Sequence, residues 1–252
     1  MRIKLLVGVC TSILMLIGCE SKMDKSPNED KVIHQQDSLK NVEKMSTEQG
    51  TRLKTEEETS YILYNSDIHH NVISYFAVIK NEGGKSLDVS QINISYTDKD
   101  GDVIGNNDSS SIHVSPYILE PGQRGYVSAE INVDVAYNKY GSASMTVSPV
   151  ITSGKAKSLP IDKHWLKTED NHIVYLNGKT KNTTDKPLDY ITVGAAIYGN
   201  NDEFIGTTFD SKKVSLNPGQ SMSFQSISPK MSDKDFSKVK RYEVRAYAYP
   251  NN

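Results

Sequence analysis

The sequence predicts an all-β fold in which a signal peptide and a disordered tether precede two tandem β-sandwich domains. Two observations carry this prediction. From Tyr61 onward, β-branched and aromatic residues alternate with polar ones over short runs that end in turn residues. The order of these runs then occurs a second time about 100 residues later. Almost no helical period follows residue 60, which disfavours the alternating strands and helices typical of solute receptors.

The chain opens with the layout of a secretory signal peptide. Two cations, Arg2 and Lys4, precede an apolar run over residues 5–17. This run is shorter than the roughly 20 apolar residues that span a bilayer, which favours a cleaved segment over a permanent transmembrane helix. We therefore expect residues 1–18 to be removed.

The end of this run, Leu16-Ile17-Gly18-Cys19, resembles the bacterial lipobox. In that motif, cleavage before the cysteine is coupled to acylation of its thiol and amine. The resemblance implies a lipoprotein that acyl chains such as palmitate on Cys19 hold at the extracytoplasmic face of the cell membrane. The alternative interpretation is an ordinary signal peptide with an incidental Cys19.

Composition excludes several classes of function. Without residues 1–18 the chain carries 27 basic and 31 acidic residues, so its formal net charge is −4. The cations are interspersed with acids and form no basic stripe, so we expect no nucleic-acid partner. Of the two cysteines, Cys10 leaves with the signal peptide and Cys19 is expected to be acylated. The exported fold therefore has no disulfide and no thiol chemistry.

Residues 19–59 are predicted to form a lipidated cysteine followed by a flexible, charged tether. Residues 20–59 contain ten acids and seven bases, and their few apolar residues are widely spaced. Such a stretch cannot bury enough apolar surface to offset the conformational entropy lost on ordering. As a coil it would reach about 35 Å on average, enough to lift a domain above the lipid headgroups. The alternative is a short helix over residues 30–45.

The first β-sandwich domain is predicted over residues 60–152. β-Branched and aromatic residues dominate residues 71–79 and 88–96, and turn residues end each run, as is typical of strands. Residues 99–102, Lys-Asp-Gly-Asp, carry the Asp-Gly signal of a β-hairpin. About seven short strands with polar turns predict two sheets that bury their apolar faces against each other.

The second domain, predicted over residues 160–252, repeats the first. Two dipeptides recur at a constant offset of 101 residues, namely Lys-Asn at 80–81 and 181–182, and Leu-Asp at 87–88 and 188–189. A Leu-x-Pro-Gly-Gln sequence recurs at an offset of 97, at 119–123 and 216–220. A period near 100 residues is the size of a domain, so the pattern indicates tandem domains and not a solenoid.

A short helical turn is predicted near the end of the second domain. Ser232 and Asp235 fit a capping box, in which the two side chains bond to each other's backbone N–H groups. The turn would cover residues 232–239, between the last two strands. Phe236 and Val239 would then be available to the apolar core.

The order of these turns and strands resembles the FxLYD domain of bacterial surface lipoproteins. The matching features are the Lys-Asn turn, the Asp-Gly hairpin and the Leu-x-Pro-Gly-Gln sequence. The naming motif would fall on residues 94–98 in the first copy and on 195–199 in the second, although neither copy keeps all its letters. The resemblance covers residues 60–252 and implies two immunoglobulin-like sandwiches. It brings no catalytic residues with it.

Acids and histidines do not predict a metal site. Residues 98–102 carry three aspartates around a glycine, but their spacing differs from that of a calcium-binding EF-hand loop, and a hairpin turn explains them better. His69 and His70 are adjacent on a predicted strand and therefore point to opposite faces, which suits them poorly for joint chelation with His113. We expect no metal and no cofactor.

The sequence also carries no motif for nucleophilic catalysis. It has no Gly-x-Ser-x-Gly elbow, and no cysteine stays free after lipidation. A hydrolase that uses two carboxylates stays open as an alternative, because such a pair meets in space and leaves no local sequence mark. Duplicated sandwiches of this size more often present loops and edges than enclose a cleft. We therefore expect a protein that is not an enzyme.

Tyrosines in the closing strand are the candidate binding residues. Residues 242–249 alternate so that Tyr242, Val244, Ala246 and Ala248 share the predicted core face. Tyr247 and Tyr249 lie on the opposite face, and we predict that they form an exposed binding surface. Trp165 is instead expected to pack in the second domain or at the domain junction.

These observations together predict a membrane-anchored, extracytoplasmic lipoprotein that acts as a non-catalytic binding or accessory module of the cell envelope. Its expected partners are the membrane, through the lipid on Cys19, and an envelope protein. The alternatives are an envelope protein that binds or hydrolyses a wall polymer and, less favoured, a solute-binding receptor.

Overall fold

Antiparallel strands form almost all the regular structure of the chain. The computed structural model describes residues 51–66, 68–169, 172–232 and 236–249. The predicted all-β, sandwich-like fold class is confirmed by several antiparallel sheets. The described residues belong to one compact unit, Lys44–Asn252. The predicted signal peptide, Cys19 and most of the predicted tether lie outside the described residues.

The N-terminal half, which we define as residues 51–152, is built from three sheets. Its strands are β1 Leu53–Asn65, β2 His70–Asn81, β3 Leu87–Asp88, β4 Ile92–Asp98, β5 Val103–Asn107, β6 Ile112–Ser115, β7 Ile118–Leu119, β8 Arg124–Val133, β9 Tyr140–Val147 and β10 Val150–Ile151. One sheet has the order β1-β2-β8-β6 and a second the order β5-β4-β9. A short third sheet has the order β10-β3-β7.

The C-terminal half, residues 157–249, repeats this pairing order in a single sheet. Its strands are β11 Lys157–Leu159, β12 Ile161–Glu169, β13 Ile173–Lys181, β14 Leu188–Tyr198, β15 Phe204–Leu216, β16 Ser221–Ile227 and β17 Arg241–Ala248. The order is β11-β17-β14-β15-β16-β13-β12. The long β15 replaces both β5 and β6 and pairs with β14 and β16, so one sheet folds back on itself.

Each half buries its own apolar core between strands with alternating side chains. On β4, Ile92, Ile94 and Tyr96 are buried while the residues between them are not. They pack against Ile73 and Tyr75 of the facing sheet. This is the period-two burial that a strand between core and solvent requires. The predicted face-to-face packing of two sheets therefore describes the N-terminal half well.

The recurring dipeptide and pentapeptide form the same turn in both halves. The side-chain amide of Asn81 donates to the carbonyl oxygens of Lys85 and Leu119, at 2.7 and 2.8 Å. Asn182 donates in the same way to Lys186 and Leu216, at 2.8 Å each. In each half, the backbone N–H of the asparagine also donates to the glutamine carbonyl of the Leu-x-Pro-Gly-Gln sequence. The repeat found in the sequence is therefore a repeated hydrogen-bond network.

The predicted boundary between tether and first domain is wrong. It is predicted at residue 59, but β1 begins at Leu53 and pairs with β2 from that residue onward. Residues 53–59 are rich in charge, with three consecutive acids at 56–58, a composition that is typical of a tether. They form a strand because their backbone pairs with β2 and because charged side chains such as Glu56 pair with cations on other strands. Glu56, for example, lies 2.6 Å from Arg124 of β8 and 3.3 Å from Lys80 of β2.

The predicted hairpin turn lies within the described residues, and the predicted helical turn lies there in part. The Asp98 carboxylate accepts hydrogen bonds from the backbone N–H groups of Asp100 and Asp102, at 2.9 Å each, so residues 98–102 form the predicted hairpin turn. In the predicted helical turn, residues 233–235 lie outside the described residues. The N–H of Phe236 donates to the carbonyl of Ser232 at 2.8 Å, and Phe236 packs on an apolar cluster as expected.

Strands β2 and β14 are buried on both faces. On β2, Tyr75 and Ala77 face the N-terminal core, whereas Phe76 and Val78 point the other way and are equally buried. β14 shows the same pattern over Ile191–Tyr198. The sequence of a strand that is covered on both sides is a nearly continuous run of apolar residues. The second cover on each strand is the other half of the chain.

Candidate functional site

Buried hydrogen bonds join the two halves. Thr207 donates its hydroxyl to the carbonyl oxygen of Val127 at 2.7 Å, and Ser115 donates to the hydroxyl of Thr192 at 2.9 Å. Each pair takes one partner from each half, and all four residues are buried. Buried polar groups without partners cost roughly 1–3 kcal/mol each, so these groups favour the joined arrangement.

A cluster of tyrosines lies at the same junction and contradicts one sequence-based expectation. Tyr247 and Tyr249 were expected on an exposed surface, but they are only 5% and 8% exposed. Tyr249 stacks on Tyr117 of the N-terminal half with ring centroids 4.0 Å apart. The alternation of the closing strand was correct, yet the face opposite the core is covered by the other half. These two tyrosines are therefore not available as an exposed binding surface.

Charged residues line the rim of the junction. Arg124 lies 2.6 Å from Glu56 in its own half and 3.4 Å from Glu243 in the other. Burial alone would raise the pKa of Glu56, but hydrogen bonds from Arg124 and Lys80 hold that pKa below its ordinary value. The guanidinium of Arg241 lies 3.9 Å from the ring centroid of Tyr198. This side of the junction is therefore closed by ion pairs.

An open row of apolar side chains crosses the outer face of the C-terminal half. Tyr175 on β13 is paired with Ile227 on β16, which is paired in turn with Phe209 on β15. Trp165 lies on the edge strand β12, one row further along the same face. Trp165 is 56% and Ile227 41% exposed, and the other two are half-buried. We call these four residues the apolar strip.

Two side-chain amides lie beside the apolar strip. Trp165 is paired with Asn177, and Asn177 with Gln225, so the three residues form one row across β12, β13 and β16. The amide nitrogen of Gln225 donates to the amide oxygen of Asn177 at 2.9 Å. This bond orients both groups and leaves the NH₂ of Asn177 and the amide oxygen of Gln225 facing solvent. The surface thus combines apolar faces with fixed donors and acceptors.

The apolar strip ends in a groove where the two halves meet. The groove has a volume of about 420 Å³ and is lined by residues of both halves, among them His113, Glu130, Phe209, Ile227 and Lys230. His113 of β6 stacks on Phe209 of β15, with centroids 4.6 Å apart and ring planes 12° from parallel. We call this feature the junction groove. Neither half could form it alone.

Several charged residues around the strip and the groove have an ion-pair or hydrogen-bond partner. Lys167 lies 2.6 Å from Glu169 beside the strip, and Lys212 lies 3.4 Å from Asp210. In the groove, the backbone N–H of Lys230 donates to Glu130 at 3.3 Å, and its ammonium donates to Asn65 at 2.9 Å. The surface therefore has little net charge. Burial also lowers the pKa of His113, which favours its neutral form.

The histidines considered as metal ligands are placed apart from one another. His69 bonds to Tyr64 at 3.3 Å, His70 lies 3.4 Å from Asp134, and His113 stacks on Phe209. Within the ranges that the structure describes, no group of three His, Cys, Asp or Glu residues could hold a metal ion. In those same ranges no helix is both long and apolar enough to cross a membrane.

Sequence reasoning missed the apolar strip, because it assigned Trp165 to the interior. A tryptophan beside a predicted linker was expected to be packed, but it lies on an edge strand and points away from the core. Its neighbours carried a usable signal. Lys167 and Glu169 follow at spacings of two residues, and such an alternation puts Trp165 on the same solvent-facing side as both charges.

Comparisons with known proteins give little similarity. No protein-family model and no curated protein matches the sequence. A solved structure, the Bacteroides uniformis beta-glucuronidase, matches with a TM-score of 0.20 and 10% sequence identity. The match covers 77% of this chain and 30% of that chain, so this chain spans less than a third of its length. At this TM-score the likeness carries no argument about fold or activity.

Proposed function

We propose that this chain is a membrane-anchored, extracytoplasmic lipoprotein that acts as a non-catalytic binding module of the cell envelope, with the apolar strip and the junction groove as its binding surface. The single observation that supports it best is the strip itself. Four neighbouring apolar side chains, two of them strongly exposed, are unusual on a face that meets only water.

The position of this surface also supports binding. It lies on the paired strands β12, β13, β16 and β15, whose backbone is held by ladder hydrogen bonds. A rigid scaffold presents side chains with little loss of conformational entropy when a ligand is bound. The junction groove adds a concave end to the flat strip. A surface of this kind suits recognition rather than turnover.

The anchor and the location rest on the sequence alone. The run that ends in Leu16-Ile17-Gly18-Cys19 implies export and acylation of Cys19, and the charged tether then separates the module from the lipid surface. The finer fold assignment belongs to the same proposal. The two halves are tandem immunoglobulin-like domains of the FxLYD kind, the first of them extended back to Leu53. The repeated Asn81 and Asn182 turns support that assignment.

A crosslinking pull-down tests the proposed binding surface. The full-length chain, solubilised in a polyoxyethylene detergent without sugar headgroups, is the bait against solubilised envelope and against purified wall polymer. The test variant carries Trp165→Ala and Tyr175→Ala. The matched control is Tyr137→Ala, which removes another tyrosine, 65% exposed and located in the N-terminal half. All three proteins should unfold within a few degrees of one another, because the substituted side chains lie on outer faces.

The expected result is a ligand that the wild-type chain and Tyr137→Ala retain and the double variant loses. Equal retention by all three proteins would contradict the assignment of the strip as the binding surface. Turnover of a wall polymer by the wild-type chain would contradict the non-catalytic assignment and support the hydrolase alternative.

A further inference from the structure

We infer that the apolar strip binds a linear, uncharged glycan that lies across strands β12, β13, β16 and β15 and ends in the junction groove. This inference rests on the proposed function, since it names the ligand class of the same surface.

The strip is long and narrow. Its members occupy successive strands of one sheet. Strands lie about 4.8 Å apart, so the three steps from β12 to β15 span about 14 Å. The strip is only two residue rows wide. A footprint of this shape fits one polymer chain and is much smaller than the roughly 800 Å² that each partner buries in a standard protein interface.

The backbone beneath the strip argues against an extended peptide as the ligand. Peptides that bind to sheets usually add a strand at an open edge and use main-chain hydrogen bonds. Strands β13 and β16 lie inside the sheet, and each is paired on both sides. A chain that crosses them meets only side chains. Recognition must therefore come from side chains, which suits a ligand that carries its own hydroxyl groups.

The polar groups beside the strip match a glycan. The NH₂ of Asn177 and the amide oxygen of Gln225 have no protein partner among the described residues, and their mutual bond fixes their direction. A sugar hydroxyl can accept from the first and donate to the second. The rings of Trp165 and Tyr175 supply electron-rich faces, on which the polarised C–H groups of a sugar ring can stack. The amide pair lies in the same row as Trp165, next to the row of Tyr175 and Ile227.

The charge of the surface selects an uncharged ligand. Lys167 is neutralised by Glu169 at 2.6 Å, and Lys212 by Asp210 at 3.4 Å. An anionic polymer would need a stripe of unpaired cations. Next to Asn177 on the same face of β13, Lys179 is exposed without an ion pair among the described residues, but it stands opposite Asp162 in the strand register. This neutrality separates the inference from binding of an anionic wall polymer.

Fluorescence of Trp165 provides a direct test, because this residue is the only tryptophan in the chain. The full-length chain, in the same sugar-free detergent, is titrated with chitohexaose, cellohexaose and maltohexaose, and with polyphosphate as an anionic probe. We expect a saturable change in emission with at least one of the three uncharged oligosaccharides. The apparent Kd should not change between low and high salt, because no ion pair is involved.

Variants that keep Trp165 identify the contacts. Asn177→Ala and Gln225→Ala are each expected to raise Kd about tenfold, and Tyr175→Ala at least tenfold. Tyr137→Ala should leave Kd unchanged. Unfolding curves confirm that each variant is folded. Equal Kd values for the Asn177→Ala chain and the wild type would overturn the assigned contacts.

The outcomes distinguish this inference from the proposed function. No response to any uncharged oligosaccharide, together with a pull-down partner that the strip variant loses, would overturn the glycan and keep the binding module. A response to polyphosphate alone, or one abolished by salt, would likewise overturn the uncharged ligand. If no oligosaccharide changes the Trp165 fluorescence and no pull-down partner depends on the strip, both proposals are contradicted.

Discussion

The backbone N–H of Tyr117 donates a hydrogen bond to the hydroxyl of Tyr249 at 3.1 Å, and the two rings stack with centroids 4.0 Å apart. One residue belongs to each half of the chain. The same hydroxyl also bonds to Thr192 at 3.1 Å. One phenol therefore satisfies polar groups from both halves, which makes it a sensitive probe of their junction.

Replacing Tyr249 by Phe is expected to lower the free energy of unfolding by about 1–2 kcal/mol, because the N–H of Tyr117 and the hydroxyl of Thr192 both lose a partner. Urea unfolding followed by circular dichroism measures the change. Tyr190→Phe is the matched control, since Tyr190 lies in the same cluster without a side-chain hydrogen bond among the described residues. Its expected effect is within about 0.5 kcal/mol. Equal effects would mean that the Tyr249 hydroxyl does not hold the junction.

The two asparagine turns should respond alike to substitution. Each substitution removes the two donated hydrogen bonds of the asparagine. Asn81→Ala also removes one accepted bond, from the N–H of Gly83, and Asn182→Ala removes two, from the N–H and the hydroxyl of Thr184. We expect each variant to lose about 2–3 kcal/mol of unfolding free energy, because the groups that lose their hydrogen-bond partner are largely buried. Chemical denaturation provides the measurement. Asn138→Ala, at an exposed position, serves as the control and should be neutral. A neutral Asn182→Ala would contradict the equivalence of the two turns.

Close packing at the junction predicts that Gly194 cannot be enlarged without cost. A Cβ at this position would lie 2.9 Å from a ring carbon of Tyr126 and 3.0 Å from the Cβ of Ser115, both buried in the other half. Gly194→Ala should therefore cost about 1–3 kcal/mol. Thermal unfolding should reveal it as a fall in Tm of several degrees. Gly84→Ala, with no atom within 4 Å of the added Cβ, should leave Tm unchanged. A Gly194→Ala chain as stable as the wild type would mean that the halves are not packed this closely.

The stacked His113 predicts a pH dependence of stability. Burial lowers its pKa in the folded chain, so the unfolded chain binds a proton at higher pH than the folded chain does. The contribution of His113 to the free energy of unfolding is therefore fully present above its unfolded pKa of about 6.5, and it is lost as the pH falls below that value. The wild-type chain should therefore lose more stability between neutral pH and mildly acidic pH than His113→Gln does. Urea unfolding of both proteins at each pH provides the comparison, and parallel losses would contradict the prediction.

Local sequence patterns predicted most of the strands and turns. Period-two alternation in β17 placed the right residues on the core face, because a strand must point successive side chains to opposite sides. The offset between Asn81 and Asn182 predicted two equivalent turns, because their hydrogen bonds join residues whose spacing the sequence preserves. The charged residues 53–59 were misassigned, because their pairing partners lie in distant parts of the chain.

The sequence by itself thus determined the fold class, the repeat and the core face of the closing strand. Only the tertiary structure decided what covers the other face. It buries Tyr249 under Tyr117 and leaves Trp165 in solvent, although both lie on non-core faces of strands. Alternation separates two faces but does not say which of them meets another part of the chain. That depends on the docking of the two halves, which is governed by surface shape and buried hydrogen bonds between residues far apart in the sequence.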